Sequence, residues 1–179
     1  MSQLKYYMNE QIFEDFAKRY PDLFQKAEIA YLGVGDGWLG ILDTLCALIS
    51  YDVQQARYRL KYAMEHQGEK FADPIPIAEE RLAKAIDGLP IIVDIKEKFG
   101  SLRFYVNHAD DKVENYIRFA EGMSHRVCEE CGAPGKQTNG GWIKTLCKEH
   151  ARERAGLLDS DDDSVTARPT QQAPTNTDE

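Results

Sequence analysis

Residues 128–150 read Cys128-Glu129-Glu130-Cys131-Gly132-Ala133-Pro134-Gly135-Lys136-Gln137-Thr138-Asn139-Gly140-Gly141-Trp142-Ile143-Lys144-Thr145-Leu146-Cys147-Lys148-Glu149-His150. Two donor pairs, Cys128/Cys131 and Cys147/His150, each have two residues between their members, and fifteen residues separate the pairs. That spacing closes a tetrahedron of thiolate and imidazole around Zn2+. Cys128, Cys131, Cys147 and His150 are therefore expected to hold one structural zinc. Gly132, without a Cβ, lets the backbone turn back so that amides can face sulfur. The stretch 142–146 reads as a strand and 147–155 as a helix. The order of knuckle, hairpin and helix predicts a treble-clef-like zinc finger over 128–158. Four protein ligands leave no position for water, so the site is read as structural, not catalytic.

Upstream, residues 1–127 read as a mainly helical domain carrying one β-hairpin at about 90–107, which makes the fold class α+β. Ile12, Phe13, Phe16, Ala17 and Tyr20 fall on one helical face, and Pro21 stops or re-aims that helix. Leu42, Leu45, Ile49, Val53, Ala56, Leu60 and Ala63 recur at steps of three and four, predicting one helix from about 37 to 66. Such a helix would be about 45 Å long at 1.5 Å per residue, and so long a stripe points to burial against a second copy, a homodimer. Asp73-Pro74-Ile75-Pro76 reads as an extended link and 77–86 as a short helix. Ile91, Val93 and Ile95, then Leu102, Phe104 and Val106, alternate across a turn near Gly100, with Asp94, Lys96, Arg103 and Tyr105 on the opposite face. Val113, Ile117, Ala120 and Met123 mark an inward helical face over 111–127.

The chain has 179 residues, 42% apolar and 29% charged, the balance of a packed globular protein. Its net charge is −8, of which residues 159–179 carry −5, leaving −3 for residues 1–158. That tail, rich in Asp, Ser, Thr, Gln and Pro, is expected to be disordered. The weak negative charge of the remainder argues against an extended duplex-DNA groove. No apolar run nears the roughly 20 residues that cross a bilayer and no signal segment opens the chain, so a cytoplasmic location and no membrane partner are expected. In a reducing compartment four cysteines speak for metal before disulfide, with Cys46 left as a buried thiol.

Outside the metal site, the segment 96–105 mixes bases with aromatics, the combination that holds phosphates and stacks bases. Lys96, Arg103 and Tyr105 are its candidate ligand contacts, with Phe99 and Phe104 read as core. Asp36 is expected to cap the helix that follows it, and Trp38 to pack in the core. In the finger, Lys136, Asn139, Trp142 and Lys144 are the residues that could face a partner. Residues 126–154 carry six bases and four acids, a mild positive patch. Treble clefs also occur in His-Asn-His nucleases, which need a histidine base on the hairpin. Residues 132–146 contain no histidine.

Three motifs, Gly35-Asp36-Gly37-Trp38, Lys96 through Tyr105, and Cys128 through Gly135 with Gly141 through Cys147, occur in this order. Together they resemble a widespread group of uncharacterised proteins encoded by bacteriophages and prophages, over about residues 33–150. The resemblance implies a setting, an accessory viral protein in the cytoplasm of an infected bacterial host, and no catalytic residues. The leading expectation is a non-enzymatic protein that binds a host factor or a small nucleotide signal, as an inhibitor or sponge of host defence. A nucleic-acid-binding regulator is the second reading and a metal-dependent nuclease or hydrolase the third.

Overall fold

The computed structural model describes residues 2–29, 32–139 and 141–156, with side chains from Glu10 onward. The expected disorder of 159–179 lies outside the described residues. Helix α1 (Ser2–Arg19) leads directly into α2 (Pro21–Phe24), where Pro21 starts a turn instead of breaking one because the first helical position needs no N–H. Phe16, Tyr20, Leu23 and Phe24 enter the main core there.

Helices α3 (Leu39–Ile49) and α4 (Tyr51–Glu65) replace the single predicted helix over 37–66. The axis changes at Ser50, which is 6% exposed with its hydroxyl unpartnered. The two helices pack on different elements: α3 on α6 (Asp111–Ser124), and α4 on α5 (Ile75–Asp87). The continuous 45 Å stripe behind the expected homodimer is thereby divided. Helix α5 also starts two residues earlier than expected, with Pro76 in its first turn, where the missing N–H costs no hydrogen bond.

Strands β1 (Ile91–Lys98) and β2 (Ser101–Asn107) pair antiparallel, closed by a two-residue turn whose Phe99 and Gly100 both have positive φ, 53° and 71°. A bulge between Ile92 and Asp94 changes which side chains face the core: Ile92 and Ile95 are buried, whereas Ile91 and Val93 are only half-buried. The expected inward set Ile91, Val93, Ile95 is corrected accordingly.

Both hairpin edges are covered. Gly33 donates to the Ile95 carbonyl at 2.8 Å, and its own carbonyl accepts from Glu97 at 2.8 Å. On the β2 side, Ser124 Oγ accepts from the Leu102 amide at 2.9 Å and Glu121 Oε1 from the Phe104 amide at 3.1 Å. Ser124 thus takes the inward place expected of Met123, which is 38% exposed. Helix α6 begins with an Asp110 cap whose carboxylate accepts from the Val113 amide at 2.8 Å.

The last segment contributes β3 (Lys136–Gln137), β4 (Thr145–Leu146) and α7 (Lys148–Arg154). Its own core is small: Cys128, Leu146 and Cys147, with Ala133 and Ala151 against them. So little apolar burial calls for a covalent or metal staple. No helix among the described residues is long and apolar enough to cross a membrane.

Candidate metal centre

The four donor residues come from three local structures. Cys128 and Cys131 sit in a tight turn closed by the Gly132 amide donating to the Cys128 carbonyl at 2.9 Å, with Gly132 at φ 77°. Cys147 is the N-cap of α7, and its sulfur accepts from the His150 amide at 3.5 Å. His150 lies one turn along that helix and faces the same point.

The donor atoms all lie within 4.8 Å of one another. His150 Nδ1 is 3.4 Å from Cys128 Sγ and 3.2 Å from Cys147 Sγ, and Cys131 Sγ is 3.9 Å from Cys147 Sγ. With Zn–S of about 2.3 Å and Zn–N of about 2.05 Å, a regular tetrahedron sets S···S near about 3.8 Å and S···N near about 3.6 Å. The residues fit a metal ion such as zinc. The second imidazole nitrogen, Nε2, faces Glu153 Oε2 at 3.7 Å, the carboxylate–histidine pairing that orients ligand rings.

Charge in the cluster tells the same story. Burial pushes the Cys128 thiol up, but the amides of Cys147, Cys131 and Glu130 together with the Cys131 thiol bring it down to about 7. Cys131 has an amide of Ala133 favouring its thiolate, yet burial and the Cys128 and Cys147 sulfurs leave it raised. His150 is raised by its contacts with Cys128 and Cys147. Three sulfurs crowded into one spot oppose joint ionisation, and a divalent cation relieves that repulsion.

The knuckle is clamped against the main domain. Trp38, fully buried, donates Nε1–H to the Val127 carbonyl at 2.8 Å, and the Gly37 amide donates to the Glu129 carbonyl at 3.0 Å. Asp36 is exposed and caps no helix with its side chain, contrary to expectation; the Trp38 amide it could have taken donates to the Gly35 carbonyl at 3.1 Å. The hairpin turn joins from the other side: Thr145 Oγ1 donates to the Gly100 carbonyl at 2.5 Å, and Gln137 Nε2 to the Phe99 carbonyl at 3.0 Å. The three sequence motifs therefore meet at one junction beside the metal ligands.

The candidate contact residues have the following partners. Lys96 and Tyr105 are neighbours on the hairpin, with Nζ 5.3 Å from the ring centre, and Asp94 is ion-paired to the same Lys96. Arg103 is directed to α6, 3.7 Å from Glu121 Oε2. Lys144 is paired with the buried Glu129 and lies 3.3 Å from Glu130. Trp142 is 68% exposed on the finger. Phe99, read as core, is instead 64% exposed at the turn tip, in a left-handed backbone conformation. Lys148 and Arg152 were not singled out from sequence; their spacing of four on α7 was the available signal.

The fold and the site together define a protein of mixed helix and strand with a C-terminal Cys3His cluster that could hold a metal ion. No family model matches the chain, and neither any curated protein nor any solved structure matches it.

Proposed function

We propose that this is a non-catalytic binding protein, stapled by zinc, that captures a host factor or a small nucleotide signal in the cytoplasm of an infected bacterium. The observation that carries the reading is the donor set: three sulfurs and one imidazole nitrogen lie within 4.8 Å of one another, enough to complete a tetrahedron around one ion. An ion so held has no position for a reacting water, which favours a structural role. Zinc is favoured over other divalent ions by three thiolates with one imidazole at tetrahedral spacings. The knuckle, β3–β4 and α7 follow one another in treble-clef order, which supports that finger type. The phage setting rests on the three-motif resemblance.

The test is twofold. Full-length zinc-loaded protein is screened for thermal stabilisation by cyclic and linear nucleotides, and used as bait in host lysate. A saturable shift of the melting temperature, or a partner that binds the purified protein with defined stoichiometry, is the expected result. Absence of both removes the reading.

A further inference from the structure

A concave surface of about 630 Å³ opens between the β3 segment and α7, within the roughly 300–1,000 Å³ range of small-molecule sites. Apart from Cys147, its charged lining residues are basic. Lys136 on one wall and Lys148 and Arg152 on the other line it, and no acidic side chain does so among the described residues. The floor is apolar, formed by Leu146, Ala151 and neighbouring small residues, and Gln137 and Asn139 add amide groups that can read polar edges. In a chain of net charge −8 such a concentration of cations is a local feature, not a consequence of composition.

One wall of this cleft is tied to the backbone of an aromatic residue. Gln137, part of its wall, is hydrogen-bonded to the carbonyl of Phe99, whose ring is 64% exposed. Phe99 adopts φ 53°, a left-handed conformation that is strained for a non-glycine residue. A large apolar ring held out in water on strained backbone gives the fold nothing by burial. Lys98 Nζ lies 5.5 Å from the same ring, so positive charge accompanies it.

We infer that the cleft between β3 and α7 binds a nucleotide, with phosphate held by Lys136, Lys148 and Arg152 and a base stacked on Phe99. Cations that meet phosphate and an exposed ring that meets a base are the two elements of sequence-tolerant nucleotide recognition. The inference rests on the binding reading above and names its ligand class. A free nucleotide and a short single strand share this chemistry.

Full-length zinc-loaded protein is titrated with a cyclic dinucleotide, a ten-residue oligothymidylate and inorganic phosphate. The variants are Lys136→Ala/Arg152→Ala, the charge reversal Lys136→Glu, Phe99→Ala, and Lys96→Ala as a control; metal content and melting temperature report their folding. Cleft variants are expected to weaken the bound nucleotide probe about tenfold or more, and Phe99→Ala to weaken it comparably while leaving phosphate binding unchanged. Lys96→Ala binds as wild type. If the strand is the ligand, each cation removed lowers the log–log salt slope by about 0.7; if the dinucleotide is the ligand, oligothymidylate does not bind. Nucleotide binding that survives all the cleft variants overturns the inference and leaves the binding reading standing. No nucleotide binding alongside a captured host protein does the same, and no binding of any kind overturns both.

Discussion

Gly37 lies directly under the carbonyl oxygen of Cys128: a Cβ on this glycine would overlap that oxygen and come within 2.8 Å of the Cys131 nitrogen. The loop before α3 and the Cys128–Cys131 turn, some ninety residues apart in sequence, are thus packed backbone to backbone. The metal cluster and the main core therefore form one mechanical unit, because the knuckle cannot shift without displacing Trp38.

Gly37→Ala is expected to lower stability by about 3 kcal/mol, at the upper end of overpacking costs since the obstructing atoms are backbone. It should also release metal to a competing chelator faster than wild type. Gly122→Ala is the matched control. Gly122 lies in α6 with nothing within 4 Å of its Cβ position, so alanine should stabilise by about 1 kcal/mol. Denaturant titrations of both variants decide this.

Glu129 is 3% exposed, and one of its carboxylate oxygens has no partner beyond the pairing of the other with Lys144. Lys144→Met removes the cation paired with it among the described residues, and should cost about 3–5 kcal/mol. Adding Glu129→Gln should recover a large part of that loss, since the stranded charge is then gone. A double-mutant cycle from chemical denaturation measures the coupling; additive effects would show that the pair is not held in the folded state.

The four cysteines should react in two classes. Cys46 is fully buried and burial pushes its thiol up, whereas Cys131 is exposed. Metal-loaded protein should react slowly with a thiol reagent at every cysteine. Chelation should expose Cys128, Cys131 and Cys147, and Cys46 should follow only on unfolding in denaturant.

Much of the metal centre was legible because its ligands are local pairs whose spacing is set by a turn and by one turn of helix. What escaped reading was long-range. The apolar period runs unbroken through Ser50, so nothing in it shows that α3 and α4 lean on different partners. Alternation across Ile91, Val93 and Ile95 cannot reveal a bulge at Ile92/Asp94. Asp36 carries an ordinary capping pattern, but its turn instead donates Gly37 N–H to Glu129. Phe99 reads as core by composition because the turn that expels it lacks the usual Asn-Gly signature.

Alkaline pH should weaken the α1–α3 contact. Burial first, then a 2.7 Å hydrogen bond to Asp43, raises Tyr20 to about 12. In the unfolded chain tyrosine ionises near about 10. Below that value both states keep the proton and stability is unaffected; between about 10 and 12 only the unfolded chain loses it, so stability falls as pH rises. Wild type should exceed Tyr20→Phe by about 1 kcal/mol at neutral pH, and that margin should shrink across the alkaline window. Denaturant midpoints at paired pH values test it; a constant margin counts against the Tyr20–Asp43 bond.

The most direct test is the metal content of untagged, full-length protein purified without added metal or chelator. Elemental analysis against protein concentration should find one zinc per chain, lost in parallel when Cys128 and Cys147 are replaced by serine. Protein that is folded yet carries no stoichiometric metal would contradict the account at its base.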